Sequence, residues 1–515
     1  MHNFLKGMDI SSLPSYWDRN NCFYNEQGES VSAFALLEEY GINSVRLRIW
    51  NDPQCVPEAQ GYCDLTHTLA MAREIKAHGM HFFLDFHYSD YWADPGQQNK
   101  PAAWKDYDFD QLQKAVYDYT REVLLALADA GCLPDMVQIG NEIRSGMLFP
   151  DGAVPHYDHL AALLNAGIAA CREVSSDIRV MIHLDQGGRF YYLKEWFDAV
   201  FAAGLAPIDA IGISFYSFWH GTFMDLKSSM EQLIANYHLP VYVVETAHPW
   251  RICPTGHVSE DLMKTAGLPA GIPEQKRSLE LVLQITDSVS EAAEKRDHTT
   301  YDTGVYYWEP LGLPGPNYGS WDENMSMMSL EHKPLPSFAA YRDFVPGQET
   351  IPDLDAYMES LYQVDESTLP PAGTNLIANG DFADKTEGFW TICEPEDVEV
   401  VAKDGEVYVS SKENFVYQLF RDVHIDVAGT YHLSVEYRGT NTTGVSVQLF
   451  LKVITCNGET CYTKDIYPSD VAFVTHELDN LQLPAGTIQV GIRMEAPPVF
   501  GRIRNLRLVK KSEEF

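Results

Sequence analysis

The stretch QLQKAVYDYTREVLLALADAGCLPDMVQIGNEI, residues 111–143, carries two hydrophobic patterns in succession. Apolar residues at helical spacing run to Gly131, and the short alternating run MVQI follows. That run ends in Asn141 and Glu142, which are poor strand formers. The stretch therefore predicts a helix followed by a buried strand with polar residues at its end. On this segment alone, a solvated turn explains the polar pair equally well.

The same unit recurs through the first two thirds of the chain. Parallel strands need a crossover connection, so strands that alternate with helices predict parallel pairing. Eight such units favour a closed (β/α)8 TIM barrel over an open sheet, and we place it at residues 1–345. The strand-like segments are KGMDIS (6–11), INSVRLRIW (42–50), MHFFLDFH (80–87), MVQIGNE (136–142), RVMIHLD (179–185), IDAIGISFY (208–216), LPVYVVETA (239–247) and TGVYYWEP (303–310).

The pattern changes after the barrel region. Residues 346–372 include a proline-bearing stretch and are predicted to be a linker. Residues 373–515 contain short alternating segments separated by turn residues, such as GTYHLSVEYRG and TIQVGIRMEA. That pattern is typical of an antiparallel β-sandwich, here of the jelly-roll type.

Charge and composition restrict the partners. The 515 residues include 37 Lys and Arg against 73 Asp and Glu, which gives a net charge of −36. A surface this acidic repels phosphate backbones and anionic membranes. We therefore expect no nucleic-acid or membrane partner and favour a neutral ligand. We expect a monomer. The opening MHNFLKGMDI has no signal-peptide pattern, which predicts a cytoplasmic protein as written, or a secreted one if a leader has been removed.

The nine cysteines show no C-x-x-C pair and no metal-ligand spacing. Cys55 with Cys63, and Cys456 with Cys461, are close enough in sequence to form disulfides, although isolated buried thiols are the alternative. The chain also lacks the H-E-x-x-H, G-x-x-x-x-G-K and G-x-S-x-G motifs, and we expect no cofactor.

In a TIM barrel the chemistry collects at the C-terminal ends of the strands. Two glutamates, Glu142 and Glu245, stand at the ends of the fourth and seventh predicted strands. The full set of strand-end residues is Asp9, Arg46, Arg48, His87, Asn141, Glu142, His183, Asp185, Tyr216, Glu245, Trp308 and Glu309.

A pair of carboxylates without a metal suits the cleavage of a glycosidic bond, with a separation of roughly 5 Å in a retaining enzyme. One carboxyl must be protonated and the other ionised, and either Arg46 or Arg48 is placed to hold the pKa of Glu245 low. Each residue also has a structural interpretation. A strand-end glutamate is often a salt-bridge partner, His87 can be a core histidine, and Trp308 can cap the barrel.

At these positions the chain resembles glycoside hydrolase family 53, the endo-β-1,4-galactanases. The motifs that carry the resemblance are long and fall in order across nearly the whole barrel. They are KGMDISSLPSYW (6–17), VRLRIWNDP (45–53), DFHYSDYWADPGQQNKPAAW (85–104), VQIGNEI (137–143), IGISFYSFWHG (211–221) and VVETAHPW (243–250).

The resemblance implies a role for each matching position. Glu142 is implied as the acid/base and Glu245 as the nucleophile of a retaining reaction. Asn141 is implied to bind the sugar 2-hydroxyl without adding a second negative charge beside Glu142, and Arg46 to steady the nucleophile. The remaining residues implied to bind the substrate are His87, Tyr216, Trp308, Asp90, Trp92, Asp94, Trp219 and His220.

The implied substrate is β-1,4-galactan, as found in the side chains of pectin. Two alternatives stay open: a related enzyme that cleaves another neutral β-1,4-glycan such as mannan or xylan, and a glycan-binding protein without activity.

Bacterial members of the family often carry an acidic calcium loop after the seventh strand, but residues 248–263 lack clustered aspartates. The opening NLIANGDFADKTEGFW (375–390) of the second domain resembles galactose-binding carbohydrate-binding modules. These modules often hold a structural calcium, yet Arg504 and Asn505 stand where acidic ligands are expected. Four aromatic residues there are candidates for sugar stacking or for core packing: Trp390, Tyr417, Tyr437 and Tyr462.

Overall fold

The alternation of strand and helix patterns produces a closed barrel of eight parallel strands. The computed structural model describes residues 2–18, 22–253, 258–313, 321, 324–363, 369–383, 391–392, 398–403, 406–411, 416–440, 446–455, 457–466, 472–495 and 500–511. The barrel strands are β1 (Phe4–Asp9), β2 (Ser44–Ile49), β3 (His81–Phe86), β4 (Met136–Ile139), β5 (Arg179–Leu184), β6 (Ala210–Ser214), β7 (Val241–Thr246) and β8 (Thr303–Trp308). The predicted TIM barrel is confirmed; β1 begins two residues before its predicted segment, and the other seven strands lie within theirs.

A helix follows each strand and covers the barrel. Local sequence sets the helix ends: the Ser32 hydroxyl accepts a hydrogen bond from the Ala35 N–H, and Gly41 takes a positive φ of 71° just past the helix end. The helices that follow the eight strands are Ala33–Glu39, Leu65–Ala77, Phe109–Asp129, Tyr157–Val174, Phe190–Ala202, Phe223–Tyr237, Ile272–Asp297 and Phe338–Asp343.

The loops contain several short helical and strand elements. The helical ones are Leu13–Asp18, Pro53–Cys55, Pro57–Ala59, Ala102–Trp104, Ile143–Ser145 and Glu260–Met263. Two small ribbons pair Phe23–Tyr24 with Ser30–Val31 and Gly146–Met147 with Gly152–Ala153.

The barrel interior is layered. Lower in the barrel the strands contribute a buried apolar cluster, which we call the lower layer. Its members are Leu5, Phe83, Met136, Met181, Ala210, Tyr242, Val244 and Tyr306. Because all eight strands run in parallel, their C-terminal ends open at one face, which we call the mouth.

The chain divides into two units, residues 1–361 and 362–515. The first half of the predicted linker therefore belongs to the first unit. There the helix Leu354–Ser360 buries Leu354 and Met358, and the amide oxygen of Gln284 accepts hydrogen bonds from the N–H groups of Thr350 and Ile351. Apolar residues four apart, which place one face against the barrel, explain the helix.

The second unit contains two five-stranded antiparallel sheets, as predicted. Their strands are β9 (Thr391–Ile392), β10 (Val398–Lys403), β11 (Glu406–Ser411), β12 (Val416–Ile425), β13 (Gly429–Thr440), β14 (Ser446–Thr455), β15 (Gly458–Asp465), β16 (Val474–Leu483), β17 (Gly486–Glu495) and β18 (Phe500–Lys510). The sheet orders are β9-β12-β17-β14-β15 and β10-β11-β18-β13-β16. Both sheets contribute to one apolar core, including Leu433, Val435, Leu449, Val490 and Ile503.

The structure describes the side chains of two of the four candidate stacking residues in this unit. Tyr437 is wholly buried in the core, which excludes it from sugar stacking, whereas Tyr462 packs against the core and is only partly buried. Trp390 and the side chain of Tyr417 lie outside the described residues, as does Cys456. Arg504 and Asn505 both donate to the Glu436 carboxylate, at 2.6 and 3.0 Å.

Across the described ranges, none of the helices is both long and apolar enough to cross a lipid bilayer.

Candidate active site

Arg46 of β2 lies at the centre of the mouth and is 1% exposed. Its Nη1 donates to Asp9 at 3.0 Å and to Glu245 at 2.9 Å, while Nη2 donates to Asp85 at 2.8 Å. Nη2 also donates to the Asn141 side-chain oxygen at 2.9 Å. One guanidinium therefore joins β1, β3 and β7 to the residue after β4, which fixes the relative positions of these strand ends.

Gln138 completes the partners of Arg46. It is wholly buried and accepts from Arg46 Nε at 3.3 Å and Nη2 at 3.1 Å. Its own amide nitrogen lies 2.6 Å from Asp85 Oδ1. Gln138 points into the barrel, where a polar residue is satisfied by buried charges.

Glu245, at the end of β7, is 6% exposed. Arg46 donates to one of its oxygens, and the Tyr216 hydroxyl donates to the other at 3.1 Å. Burial raises the pKa of Glu245 to about 7, against the opposing effect of Arg46, and the charges of Asp9 and Asp85 raise it further. The expected low pKa is therefore wrong, because desolvation and two carboxylates outweigh one arginine.

Glu142 follows β4 with a left-handed backbone, φ 48°. The Ser214 hydroxyl donates to its Oε1 at 2.6 Å. Burial raises the pKa of Glu142 well above its ordinary value, and the charges of Glu245 and Asp185 raise it further. The charge of Glu245 acts on Glu142, so the two glutamates share one cleft. Among the described residues, no arginine donates to Glu142 as Arg46 does to Glu245. Glu142 is thus the group that retains its proton and Glu245 the one that ionises first.

Asn141 is held by both ends of its amide. The oxygen accepts from Arg46 and from Gln138, and the nitrogen donates to the Ala93 carbonyl at 2.9 Å. This orientation leaves the second N–H of the amide to donate to a ligand beside Glu142.

His87 forms part of the wall of the mouth and is 3% exposed. Its Nδ1 accepts from the Trp50 indole at 3.2 Å and from the Ala93 N–H at 3.1 Å. The proton is therefore on Nε2, which lies 3.2 Å from Asp85 Oδ2. The ring thus links the loop after β3 to the charged network.

Aromatic side chains line the cleft around the carboxylates. Trp308 lies 5.7 Å from Trp92 and 4.6 Å from Trp321 between ring centroids. Trp321 also packs against Tyr216, and Trp219 stands beside them with 39% of its surface exposed. Trp321 was missed at the sequence level, since the sequence around it shows no strand or helix periodicity.

Asp90 stabilises its own loop rather than facing the cleft. It is 7% exposed, and its two oxygens accept from the backbone N–H groups of Asp52 and Ala102 at 2.9 and 2.7 Å. These contacts give Asp90 a role in loop structure, and the sugar contact implied for it stays a prediction.

Asp94 and His220 also make local contacts. Asp94 accepts from the N–H groups of Gly96 and Gln97 in a tight turn, although its charge is near enough to raise the pKa of Glu142. His220 is buried, and its Nδ1 lies 2.9 Å from the Ser214 carbonyl. Burial lowers the pKa of His220 to about 3, so the ring is neutral.

A second arginine, Arg48, forms a separate buried pair in the mouth. Its Nη1 lies 2.5 Å from Glu309 and its Nη2 donates to Ser12 at 2.9 Å. The guanidinium stacks 4.2 Å from the centroid of Trp92 and 5.3 Å from that of Trp50. Of the two arginines considered from the sequence, Arg46 contacts Glu245, and Arg48 instead supports the aromatic wall.

The Cys55 and Cys63 thiols are both free. Cys63 is buried against Trp50 and Ala59, whereas Cys55 is exposed and its thiol donates to Asp90 at 3.3 Å. Their different environments exclude the disulfide considered above in this conformation. Within the described part of the chain, no group of three or more His, Cys, Asp or Glu side chains is arranged to hold a metal ion.

Comparison with known proteins points to one family. The model for glycosyl hydrolase family 53 matches residues 5–341. A Niallia circulans protein, described as an uncharacterized protein in the bgaB 5' region, is 38% identical over 357 residues, which cover 66% of this chain and 93% of that protein. The probable arabinogalactan endo-beta-1,4-galactanase A of Aspergillus tubingensis is 34% identical over 322 residues, covering 61% of this chain and 87% of that protein.

The barrel has a matching solved structure. The GH53 catalytic domain of Ignisphaera aggregans superimposes with a TM-score of 0.60 at 33% identity, covering 66% of this chain and 96% of that domain.

Proposed function

Because this chain belongs to glycosyl hydrolase family 53, we propose that it hydrolyses internal β-1,4 linkages of galactan with retention of configuration. In this proposal Glu142 is the acid/base and Glu245 the nucleophile.

In the first step the ionised Glu245 carboxylate attacks the anomeric carbon, and the bond to the glycosidic oxygen breaks. Glu142 donates its proton to that oxygen, so the leaving sugar departs as a neutral alcohol. In the second step Glu142, now ionised, takes a proton from water as the water attacks the anomeric carbon and releases Glu245. The proton returns to Glu142, and the cycle closes.

The observation that carries the proposal is the contrast between the two carboxylates. Arg46 donates directly to Glu245, whereas Glu142 receives a hydrogen bond from neutral Ser214. Both pKa values are raised by burial, that of Glu142 well above its ordinary value and that of Glu245 to about 7. A pair in which one member ionises before the other suits a nucleophile and an acid.

Two observations support galactan as the substrate: the chemistry of the cleft and the similarity to named relatives. The net charge of −36 disfavours acidic polysaccharides, and the tryptophans around the cleft offer apolar faces for neutral sugar rings. The Aspergillus tubingensis relative is named as an arabinogalactan endo-beta-1,4-galactanase, which makes galactan the first substrate to test.

We extend the proposal to the second unit, which we expect to bind glycan. A tethered binding unit raises the local concentration of a polymeric substrate near the barrel. Deleting residues 362–515 should then raise the KM for polymeric galactan while leaving the KM for short oligosaccharides unchanged. An equal change for both substrates would remove the binding role.

The direct test of the substrate is product analysis on β-1,4-galactan, with arabinan, mannan and xylan in parallel. The intact chain should release oligogalactosides from galactan alone, and Glu245→Gln should release none. Release from mannan or xylan instead would keep the mechanism and discard the substrate. No release from any of the four would leave a glycan-binding protein.

A further inference from the structure

Behind Glu142 lies a chain of two buried polar residues. Ser214 of β6 and His183 of β5 are both wholly buried. His183 Nε2 lies 2.8 Å from the Ser214 hydroxyl oxygen, and that hydroxyl lies 2.6 Å from Glu142 Oε1. The two residues therefore connect the neighbouring strand directly to one oxygen of the proposed acid.

We propose that His183 and Ser214 are positioning residues that direct the acid proton of Glu142 onto Oε2, the oxygen that does not contact Ser214, for transfer to the glycosidic oxygen. This inference rests on the proposed function. The proposed function names Glu142 as the acid. The inference specifies which of its two carboxyl oxygens carries the proton.

The argument begins with the charge of His183. Burial lowers its pKa well below the ordinary value, and the nearby Arg46 charge lowers it further, so the ring is neutral. A neutral imidazole has one N–H, and the neighbouring groups decide which nitrogen carries it.

Two contacts of His183 Nδ1 bear on that choice. Nδ1 lies 3.1 Å from the amide nitrogen of Gln138 and 3.0 Å from the side-chain oxygen of Asn141. The Gln138 nitrogen can only donate, so its 3.1 Å contact is satisfied only when Nδ1 carries a lone pair, although its two protons are shared with Asp85, Gly140 and Asn141. The Asn141 oxygen accepts from both Arg46 and Gln138, which occupies its two lone pairs without a proton from Nδ1. Nδ1 is therefore the acceptor and Nε2 carries the proton.

The tautomer sets the direction of the remaining bonds. Nε2–H donates to the oxygen of Ser214, whose own proton is then directed to Glu142 Oε1. An oxygen that accepts this bond is disfavoured as the site of protonation, so the acid proton resides on Oε2. With the opposite tautomer, Ser214 would donate to His183, and Glu142 would be protonated on the side away from the substrate.

The kinetic test compares two substrates for Ser214→Ala. A galactotetraose needs a proton on its leaving oxygen, whereas a 2,4-dinitrophenyl β-1,4-galactobioside does not. We expect kcat/KM to fall by about 10- to 100-fold for the tetraose and to change little for the aryl glycoside. The high-pH limb for the tetraose should move upwards, because the Ser214 hydrogen bond lowers the pKa of Glu142. Equal losses on both substrates would overturn the proposal.

Ser217→Ala is the matched control. Ser217 is a buried serine three residues further along, and its hydroxyl has no hydrogen-bond partner among the described residues. It should leave both substrates unaffected. His183→Phe should reproduce the selective loss and add little to Ser214→Ala, since it acts through that hydroxyl. Additive losses of kcat/KM in the double variant would contradict the proposed hydrogen-bond chain from His183 through Ser214 to Glu142. A Ser214→Ala profile like that of Ser217→Ala would contradict it as well.

A second measurement needs no variant of Ser214. Nitrogen-15 NMR of histidine-labelled wild type, with His183→Phe to assign the signal, should show a proton on Nε2 and none on Nδ1. A proton on Nδ1 would overturn the proposal even if the enzyme were inactive on both substrates. Inactivity of the wild type would instead remove the proposed function.

Discussion

The mouth of the barrel and the lower layer beneath it are built by the same strands but differ in chemistry. On β3, Phe83 points into the lower layer and Asp85, two residues later, into the mouth. On β4, Met136 and Gln138 stand in the same relation. One step of the strand repeat therefore separates an apolar core from a network of buried charges.

The two layers contribute to stability in opposite ways. Burying a large apolar side chain such as Phe83 stabilises the fold by about 1.5–3 kcal/mol. In the mouth, burial raises the pKa of Glu142, Glu245 and Glu309, which means that their ionised forms are destabilised by desolvation. The lower layer therefore stabilises the barrel, whereas the mouth is less stable because it holds buried charges in a fixed arrangement.

The largest expected effect separates activity from stability. Glu245→Gln should lower kcat on galactan on the order of 10⁴-fold or more, because the nucleophile is lost. Folding raises the pKa of Glu245 to about 7. Glu245 therefore contributes to the free energy of unfolding at low pH, where it is protonated in both states, and this contribution is lost as the pH rises towards about 7. A neutral glutamine avoids that loss, and the melting temperature at neutral pH should be equal or higher.

Glu309→Gln is the matched control for this change, as it alters another buried carboxylate of the mouth, paired with Arg48. A loss of activity as large as that of Glu245→Gln would contradict the assignment of the nucleophile.

Removing the central cation should destabilise the mouth. Arg46→Met leaves the carboxylates of Asp9, Asp85 and Glu245 without their shared partner, and we expect about 3–5 kcal/mol less free energy of unfolding. Denaturant unfolding measures it. The exposed Arg121, paired with Glu173, gives the control Arg121→Met, which should have no measurable effect. Similar behaviour of the two variants would show that the buried network is not needed for folding.

The pH dependence should reflect the raised carboxyl pKa values of the mouth. Activity requires Glu245 ionised and Glu142 protonated, so kcat/KM should fall at low pH with an apparent pKa near about 7 and at high pH through the raised pKa of Glu142. The two limbs belong to the coupled pair. A low-pH limb at the ordinary value for glutamate would show that Arg46 outweighs burial. The profile is measured on a soluble oligosaccharide.

A change in the lower layer should affect only stability. Tyr306→Phe removes a hydroxyl that lies 2.7 Å from the buried Ser44 hydroxyl, and we expect a loss of about 1 kcal/mol in the free energy of unfolding. The value of kcat on galactan should stay unchanged, which steady-state kinetics beside thermal unfolding would check. A change in kcat would show that the two layers are coupled.

The smallest effect is expected at the rim of the mouth. Trp219 is 39% exposed beside Trp321, so Trp219→Ala should remove a stacking surface worth about 0.5–1.5 kcal/mol. The KM for galactan should rise by up to about tenfold with kcat and stability nearly unchanged. An unaltered KM would remove Trp219 from the substrate contacts. The exposed Trp17, on the helix Leu13–Asp18, supplies a comparison variant, Trp17→Ala.

Much of the fold could be predicted from the sequence, because the strand and helix periods alternate without interruption across the barrel. The strand ends Arg46, Glu142 and Glu245 were predictable for the same reason. The hydrogen-bond partners of these residues could not be predicted from the sequence. The burial of Gln138 depends on charges from distant strands, which the pattern of its own segment does not indicate.

The loop contacts were the least predictable part of the site. Trp321 lies outside any periodic pattern. Asp90 belongs to a motif that resembles a binding loop, but it accepts hydrogen bonds from the backbone N–H groups of Asp52 and Ala102. The pKa of Glu245 also escaped prediction, since it depends on burial and on Asp9 and Asp85 as well as on Arg46.

The most direct test of the central claim is to trap the covalent intermediate. A 2-deoxy-2-fluoro-β-1,4-galactobiosyl fluoride reacts with a retaining nucleophile and releases it slowly, so mass spectrometry of the digested protein can locate the attached sugar. We predict a single modified peptide with the sugar on Glu245. Modification of Glu142 or Glu309, or hydrolysis with inversion and no trapped sugar, would contradict the assignment.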